Sequence, residues 1–411
     1  MCDSQLIGGF LEQAGHAEAG EFEDADLIVV NSCAVTAESE RKSRNMVRRM
    51  KKLYPVAKVA VCGCWTRVNE PQADTLEDVL VITDRAPKDV ASKLIEYIGS
   101  EDISSDRDTV FSLPDFSHYF EDKTRASIKI QDGCNRFCTY CIIPYARGKL
   151  TSESPESICE LIRSTLRRGY EEVVLTGIHV QSYRYEDMDL VDLIHYIEQE
   201  TDIARLRISS IEPVAVTDRF IDLAADSRAL CPHFHLSLQS GSDTVLARMH
   251  RRYTSEEYRT AVENIRKVRP EACFTTDIIV GFPGETEAEF RESLDFIKDI
   301  GFSHVHVFPY SRRQGTKAYD MPCQISNRVK HERTIELIDI SEKVGAEISA
   351  SFVGSVRKVI AERRLDNGLY EGYSENYLNV RFTSENDPIG RIRDVLITSS
   401  EGRDLYGRCT V

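Results

Sequence analysis

A strand followed by a helix recurs six times after Arg125, and this rhythm constrains the fold more than any other feature of the chain. Short apolar runs alternate with amphipathic stretches of helical period, which is typical of a parallel sheet with helical connections. Six such units without a seventh or eighth predict an incomplete parallel barrel. The candidate strands are residues 126–131, 172–176, 205–209, 233–238, 273–280 and 304–308. The candidate helices include residues 155–168, 190–198, 254–268 and 287–300.

The segments on either side of this barrel have different patterns. In the first hundred residues, apolar strands over 25–31, 58–62 and 79–83 alternate with helical stretches such as 38–52, which predicts a small doubly wound α/β domain. The last sixty residues contain short strand-like runs and an Asn367-Gly368 turn, which predict a small all-β barrel.

The chain is therefore predicted to be an α/β protein with four parts. The predicted boundaries are 1–100 for the N-terminal domain, 101–123 for a polar linker, 124–350 for the partial (β/α)6 barrel and 351–411 for the all-β domain. No apolar run approaches the ~18–20 residues that span a bilayer, and the N-terminus has no secretory signal, so we expect a cytoplasmic protein. The net charge of −15 argues against bulk electrostatic binding to nucleic acid.

Three of the twelve cysteines, Cys134, Cys138 and Cys141, lie in a CxxxCxxC run directly after the first barrel strand. Thiols in a reducing compartment rarely form disulfides, and their thiolates select zinc, copper(I) or iron–sulfur clusters. A structural zinc site needs four ligands, usually as two pairs, and the chain has no second CxxC pair. Three thiolates on one loop suit three irons of a cubane, which leaves the fourth iron open to a substrate. Zinc is the alternative.

This run resembles the radical S-adenosylmethionine (SAM) enzymes, and its extension CIIPYARG, which ends at Gly148, resembles the methylthiotransferases. Other stretches resemble later loops of that family: TGIH from Thr176, SSIEP from Ser209, LSLQSG from Leu236, MHRRYT from Met249, DIIVGFPGE from Asp277 and FPYS from Phe308. Each stretch is weak alone, but their order on the predicted loops is specific.

The resemblance implies that the [4Fe-4S] cluster binds the amino and carboxylate groups of SAM and that one electron cleaves SAM to a 5′-deoxyadenosyl radical. The clusters and SAM would carry the chemistry, so no side chain is named as catalytic. An electron donor of the flavodoxin or ferredoxin type is implied, and the sulfur donor is not revealed. The residues implied to line the SAM site are Thr176, Gly177, Glu212, Gln239, Arg252 and Gly281.

The family also implies a second [4Fe-4S] cluster, held by three cysteines of the N-terminal domain. Cys33 and Cys64 match the second and third of these positions. The first should lie in a Gly-Cys-Lys-x-Asn-like stretch after an opening strand. The sequence begins instead with Met1-Cys2-Asp3, which resembles the residues beyond that stretch. We expect the chain to start downstream of its natural beginning. Substitution by Cys2 or Cys62 is the alternative.

Two regions are candidates for binding RNA. Residues 40–52 hold seven basic residues and one acidic residue in a chain of net charge −15, which predicts a phosphate-facing helix. The all-β domain resembles the RNA-binding TRAM domain of the family at Gly372 to Tyr377. The predicted RNA-binding residues are Arg41, Arg44, Arg48, Arg49, Lys52, Tyr373 and Tyr377.

The chain most resembles the threonylcarbamoyladenosine branch of the methylthiotransferases, which implies an enzyme that adds a methylthio group to C2 of N6-threonylcarbamoyladenosine-37, beside the anticodon, with the tRNA anticodon stem-loop as partner. Within the family, the alternatives are isopentenyladenosine-37 of tRNA and an aspartate of a ribosomal protein. A non-catalytic iron–sulfur protein that binds RNA is the alternative from another class.

Overall fold

The computed structural model describes residues 2–20, 25–68, 76–99 and 124–410. These residues form two compact units. The first contains the described part of Met1–Tyr119 together with Gly133–Lys149 and Ser311–Tyr319, and the second contains the described part of the remaining chain. The predicted linker, residues 101–123, lies outside the described residues, and the four domain boundaries remain predictions. No described helix is both long and apolar enough to cross a membrane.

A three-stranded parallel sheet forms the centre of the first unit. Its strands, in order, are β1 (Leu27–Ser32), β2 (Lys58–Gly63) and β3 (Val79–Val81). The helices are α1 (Cys2–Gln13), α2 (Ala37–Leu53), α3 (Cys64–Val68), α4 (Pro87–Ile98) and α5 (Ile143–Arg147). Because successive residues of a strand point to opposite faces, Val61 packs with Trp65 of α3, whereas Cys62 packs with Ile7 of α1 and Leu94 of α4. Helices on both faces confirm the predicted doubly wound domain.

Six parallel strands in sequence order form the partial barrel of the second unit. They are β4 (Ala126–Asp132), β6 (Glu172–Gly177), β9 (Arg205–Ile208), β10 (His233–His235), β11 (Cys273–Val280) and β12 (His304–Pro309). Single bridges such as Ile211 to Leu236 join β9 to β10. The short strands are β5 (Thr151–Ser152), β7 (Arg184–Tyr185) and β8 (Met188–Asp189). The predicted six-unit barrel is confirmed.

The helices of the second unit follow the strands in turn. They are α6 (Pro155–Arg167), α7 (Leu190–Glu200), α8 (Asp218–Asp226), α9 (Asp243–Arg248), α10 (Ser255–Val268), α11 (Glu287–Ile300) and α12 (Asn327–Ala350). Single turns of 3-10 helix occur at Val180–Ser182 and Pro213–Ala215. Helix α10 begins at a capping box, in which the side chains of Thr254 and Glu257 each accept a hydrogen bond from the backbone of the other.

The strand predicted over 233–238 forms a regular ladder only as far as His235. Beyond that point the hydroxyl of Thr276 in β11 replaces part of the ladder. It accepts from the backbone nitrogen of Leu238 at 2.9 Å and donates to the carbonyl oxygen of Leu236 at 2.5 Å. Hydrophobic periodicity does not report a side-chain bond of this kind, so the sequence predicted the longer strand.

A closed five-stranded barrel forms the end of the chain. Its strands are β13 (Val356–Arg364), β14 (Tyr370–Ser374), β15 (Asn379–Thr383), β16 (Ile392–Glu401) and β17 (Asp404–Cys409). The strand-like runs in the sequence, residues 355–362, 377–382 and 389–397, overlap β13, β15 and β16, whereas β14 and β17 were not predicted. A Cβ atom on Gly372 would lie 1.8 Å from the carbonyl oxygen of Ile360, and one on Gly407 would lie 2.5 Å from that of Leu396. Glycine is rare in strands and lowers the predicted strand propensity of a segment. The two glycines that the barrel requires are therefore the reason that these strands were missed.

Candidate functional site

The loop after β4 carries the three closely spaced cysteines. Cys134, Cys138 and Cys141 are all partly exposed, and the backbone nitrogen of Cys141 donates to the carbonyl oxygen of Cys138 at 3.0 Å. At the base of the loop, a Cβ atom on Gly133 would lie 2.0 Å from the carbonyl oxygen of Lys149. Only glycine permits this approach, so the sequence at Gly133 fixes a tight base from which the three thiols extend.

An apolar edge flanks these thiols. Phe137 lies between Cys134 and Cys138, in a left-handed conformation with φ of 48°. Its ring meets that of Tyr145 edge to face, with 5.6 Å between the ring centroids. Both residues are exposed, at 44% and 47%. Apolar groups beside a metal site limit the access of solvent, which suits an oxygen-sensitive cluster.

The thiols fit an iron–sulfur cluster better than a single zinc ion. Zinc binds sulfur at about 2.3 Å, so its ligand sulfurs lie within roughly 4 Å of one another. Among the described residues, one group of possible metal ligands has all its ligand atoms within 4.8 Å of one another. It consists of His235, Asp277 and His306. A structural zinc ion would also need a fourth ligand, whereas three thiolates on one loop suit three irons of a cubane.

The N-terminal cysteines occupy different environments. Cys33 follows β1 and is exposed, and its backbone nitrogen donates to Oγ of Ser43 at 3.2 Å. Cys64 is the first residue of α3 and is buried. Cys62 lies in the core beneath α1, where burial raises the pKa of its thiol to about 11. Its enclosure among apolar core side chains makes it a poor substitute ligand. The side chain of Cys2 lies outside the described residues.

Five of the six residues predicted to line the SAM site lie at the carboxyl ends of the barrel strands or in the loops after them, and the sixth, Arg252, lies between α9 and α10. Thr176 and Gly177 end β6, Glu212 follows β9, Gln239 follows β10 and Gly281 follows β11. Gln239 has a left-handed backbone with φ of 71°, and its backbone nitrogen donates to the carbonyl oxygen of Asp277 at 2.8 Å. In open parallel sheets, ligands bind at this edge.

Glu212 is the centre of a buried polar network. Its side chain and that of Arg251 are 9% and 6% exposed, and Nη2 of Arg251 lies 3.0 Å from Oε1 of Glu212. Nε2 of Gln181 donates to Oε2 of Glu212 at 3.0 Å, and Nε2 of His179 lies 3.5 Å from the same oxygen. The carboxylate is thereby fixed in direction, which is what a residue that binds a ligand hydroxyl requires.

Sequence reasoning missed Arg251, Gln181 and His179. The predicted residue Arg252 is exposed, while its neighbour Arg251 reaches Glu212. The Arg-Arg pair offered no means to choose between the two positions. The signal for the other two was their spacing in the loop after β6, because His179 and Gln181 are two residues apart and follow the Thr176-Gly177 pair.

The Gly281 loop is held by a buried carboxylate. The backbone nitrogen of Gly281 donates to Oε2 of Glu285 at 2.7 Å, and Nη1 of Arg333 lies 2.5 Å from the same oxygen. Burial raises the pKa of Glu285, and the bonds from Gly281 and Arg333 oppose that effect. Gly281 has φ of 71°, and a Cβ atom there would lie 2.4 Å from Cγ of Lys330. Glycine is therefore required at this position.

The basic helix α2 presents two kinds of cation. Arg41 bonds Glu38 at 2.7 Å, and Arg44 lies 3.5 Å from Glu40. Within the described ranges, no ion pair involves the exposed residues Arg48, Arg49 and Lys52. Contact of these three residues with phosphates remains a prediction.

Tyr373 and Tyr377 lie in a stack within the second unit. Their ring centroids are 4.6 Å apart, and the ring of Tyr377 also stacks on His233 at 4.6 Å. The guanidinium groups of Arg125 and Arg207 lie 5.2 Å and 4.7 Å from the centroid of the Tyr377 ring. This stack joins the C-terminal barrel to the larger one. Binding of RNA by these tyrosines remains a prediction.

Two family models match the chain. The model described as the Radical SAM superfamily matches residues 128–297, and the one described as Uncharacterized protein family UPF0004 matches residues 1–83. Among solved structures, the chain is similar to the radical SAM methyltransferase TsrM from Kitasatospora setae, with a TM-score of 0.59 and 14% identity over 90% of this chain and 77% of that one. This similarity shows a shared fold.

Similar curated proteins extend over nearly the whole chain. Threonylcarbamoyladenosine tRNA methylthiotransferase MtaB of Bacillus subtilis (strain 168) is 35% identical over 96% of this chain and 90% of that protein. The protein of the same name in Chlamydia pneumoniae is 40% identical over 87% of this chain and 82% of that protein. The tRNA-2-methylthio-N(6)-dimethylallyladenosine synthase of Pelotomaculum thermopropionicum is 33% identical over 98% of this chain and 94% of that protein.

Proposed function

Since this chain belongs to the tRNA methylthiotransferase family of radical SAM enzymes, we propose that it transfers a methylthio group to C2 of N6-threonylcarbamoyladenosine-37, beside the anticodon in tRNA. The observation that carries the proposal is the loop of three partly exposed thiols after β4, in a chain 35–40% identical to two proteins named for this reaction. A bound cluster and SAM would supply radical chemistry, which an aromatic C–H bond requires because acid–base chemistry cannot break it.

The residues of the chain would bind and orient the groups that react. Cys134, Cys138 and Cys141 would hold the cluster of the loop. Glu212 is fixed by Arg251 and Gln181, and its carboxylate would accept a hydrogen bond from a ribose hydroxyl of SAM.

A second [4Fe-4S] cluster belongs to the proposal. Cys33 and Cys64 would supply two of its ligands. The core position of Cys62 argues against that residue as the third ligand. This cluster would take part in the insertion of sulfur.

The proposed partners are the tRNA anticodon stem-loop and a reducing protein of the flavodoxin or ferredoxin type. The exposed face of α2 offers Arg48, Arg49 and Lys52 for the phosphates of the stem-loop. These three cations share one helix in a chain of net charge −15. RNA would therefore be attracted by the cations of this helix and not by the net charge of the protein.

Dimethylallyladenosine is the second candidate substrate. Relatives named for it are 33–34% identical over 98% of this chain, only slightly below the relatives named for threonylcarbamoyladenosine. The threonylcarbamoyl group carries a carboxylate and a hydroxyl, whereas the dimethylallyl group is apolar. A site built for one should therefore discriminate against the other by at least ~10-fold, as expected where polar groups would be left unpaired.

The test is product analysis with two matched substrates. The reconstituted, reduced protein is given SAM and an anticodon stem-loop that carries either modified adenosine, and the digested nucleosides are measured by mass spectrometry. We expect methylthio product from the threonylcarbamoyl substrate and 5′-deoxyadenosine in the same samples, with neither product from the Cys138→Ala variant.

Three results would contradict the proposal. One is preferential modification of the dimethylallyl substrate. Another is modification of a ribosomal-protein aspartate in cells with the gene, alongside an unchanged tRNA nucleoside profile. The third is absence of 5′-deoxyadenosine although iron is bound, which would indicate the non-catalytic alternative.

A further inference from the structure

Three side chains with metal-ligating atoms meet within the second unit. They are His235 at the end of β10, Asp277 in β11 and His306 in β12, and their ligand atoms all lie within 4.8 Å of one another. The parallel ladder brings two of them together, because Asp277 and His306 are direct partners in the register of β11 and β12. The ring of His235 lies beside that of His306, with 5.8 Å between the centroids.

This trio lies on the inner face of the partial barrel. Phe274 of β11 faces the surrounding helices, because the guanidinium of Arg266 in α10 lies 5.1 Å from the centroid of its ring. Successive residues of a strand point to opposite faces, so Asp277, three residues later, points to the other side of the sheet. Asp277 is three residues before Val280, the end of β11, which places the trio roughly 10 Å along the strand from its carboxyl end.

The separation of His235 and Asp277 fits a shared cation better than a hydrogen bond. Nε2 of His235 lies 3.3 Å from Oδ2 of Asp277. This nitrogen is buried and has no hydrogen-bond partner among the described residues. Two ligand atoms that are each about 2.0–2.1 Å from one tetrahedral zinc ion are ~3.3–3.4 Å apart. The two atoms therefore have the spacing of neighbouring ligands.

The other contacts of the trio also suit a metal ion. Nδ1 of His235 lies 2.9 Å from Oγ1 of Thr275, and a bond from this nitrogen leaves the lone pair of Nε2 for a metal. Within the described ranges, Asp277 has no lysine or arginine partner, so its negative charge is not balanced by a side-chain cation. His306 is exposed, which gives an ion a path from solvent to the site.

We propose that His235, Asp277 and His306 bind a divalent transition-metal ion such as zinc. Two imidazoles and one carboxylate are the donor set of many catalytic zinc and non-haem iron sites, where the remaining coordination positions stay open. Magnesium and calcium prefer oxygen ligands, so the two imidazoles disfavour them. The open positions would take water or an oxygen atom of a molecule inside the barrel. This site requires neither the cysteine loop nor SAM, so it is independent of the proposed function.

Cobalt(II) is the probe for the site, because its absorption spectrum distinguishes its ligands. Thiolate ligands give an intense ultraviolet charge-transfer band, whereas nitrogen and oxygen ligands give only weaker visible bands. The cluster-free full chain, with its accessible thiols alkylated, is titrated with cobalt(II). His235→Gln, Asp277→Asn and His306→Gln are compared with the parent, and His331→Gln, at an exposed histidine of α12, is the matched control.

We expect the parent to bind one cobalt ion per chain without a thiolate band and to release it to zinc. Each of the three ligand variants should bind cobalt at least ~10-fold more weakly, and Thr275→Val, which removes only the orienting bond, should cost about 10-fold. His331→Gln should bind like the parent. Zinc should also raise the urea midpoint of the parent and of His331→Gln, but not that of the ligand variants.

Two outcomes would overturn the inference. One is a parent protein that binds no more cobalt than Asp277→Asn does, which would leave His235 and Asp277 as an ordinary ion pair. The other is cobalt bound only with a thiolate band. The exposed position of His306 keeps the test valid if a variant at a more buried residue fails to fold, because His306→Gln changes a surface side chain. Neither outcome decides which adenosine is modified, since the nucleoside products answer that question.

Discussion

Adjacent arginines in this protein have opposite environments, and the difference decides which of them can serve a binding site. Arg251 is buried against Glu212, whereas Arg252 is exposed. The family resemblance indicated the segment but placed the role on Arg252. Which of two neighbouring side chains turns inward depends on the backbone before α10, and that is a property of the folded chain rather than of residue type.

Replacement of these two arginines by glutamine should have unequal effects. Arg251→Gln leaves the buried carboxylate of Glu212 without its charged partner, so it should lower the free energy of unfolding by about 3 kcal/mol and weaken SAM binding. Arg252→Gln should change the free energy by no more than about 0.5 kcal/mol. Urea unfolding of the cluster-free protein and equilibrium dialysis with SAM measure the two quantities. Equal effects of the two variants would show that the Glu212 network is not part of the site.

Replacement of the neighbouring cysteines of β2 and α3 should also have different effects on bound iron. Cys64→Ala should remove about half of the iron that the reconstituted protein binds, because the proposed N-terminal cluster loses a ligand. Cys62→Ala removes only a core side chain, so it should keep the iron and cost about 1–2 kcal/mol of stability. Iron and sulfide per chain are measured for both variants. Loss of iron from Cys62→Ala would make that residue the missing third ligand.

At the scale of elements, the alternation of short apolar runs with amphipathic helical stretches carried most of the prediction. The six barrel strands lie where periodicity placed them, whereas β14 and β17 were hidden by Gly372 and Gly407. The loops that hold the site were found as polar gaps between elements. Their internal bonds could not be predicted, because they join residues far apart in sequence, as Gln181 joins Glu212.

The start of α11 makes a pH-dependent contribution to stability. Glu289 accepts hydrogen bonds from Arg248 at 2.8 Å and 2.9 Å, from Thr244 and from the backbone nitrogen of Thr286. These bonds, led by those from Arg248, lower the pKa of Glu289 from 4.5 to about 2. The ionised carboxylate is thus favoured in the folded state, so its contribution is complete above pH 4.5 and is lost as the pH falls toward 2.

Glu289→Gln should therefore destabilise the protein by about 1–2 kcal/mol at neutral pH. The difference from the parent should shrink as the pH falls from 4.5 toward 2, because the parent then loses the same charge. Urea unfolding of the two cluster-free proteins across this range measures the difference. Glu292→Gln on the same helix is the control, since its exposed side chain lies outside the capping box. A difference that is independent of pH would contradict the assignment.

At the scale of the whole molecule, a strongly acidic chain carries one concentrated set of basic residues on α2. The net charge of −15 and the position of the basic run are both readable from the residues alone. Only the structure separates Arg41 and Arg44, which have acidic partners, from Arg48, Arg49 and Lys52. The spacing of residues along a helix indicates which acidic side chains could pair with an arginine. It does not indicate which side-chain rotamers the residues adopt.

Replacement of Arg48, Arg49 and Lys52 by glutamine should weaken tRNA binding about 10-fold near 0.1 M salt and reduce the slope of log K against log salt by roughly 2, since each phosphate contact contributes roughly 0.7–0.9 to that slope. Binding of radiolabelled tRNA at several salt concentrations measures both. Glutamine at Arg328 and Lys343, exposed cations of α12, is the control. An unchanged slope would place the RNA on another surface.

The first unit is assembled from three separate stretches of chain, and the last of these ends at Tyr319. Within it, the backbone nitrogen of Ala318 donates to the carbonyl oxygen of Thr139 in the cysteine loop at 2.8 Å, and Arg313 bonds Glu40 at 2.7 Å. A nascent polypeptide therefore exposes its thiols long before the ribosome has made the segment that braces them. We expect iron to be inserted after translation, by an assembly machinery that acts on finished protein.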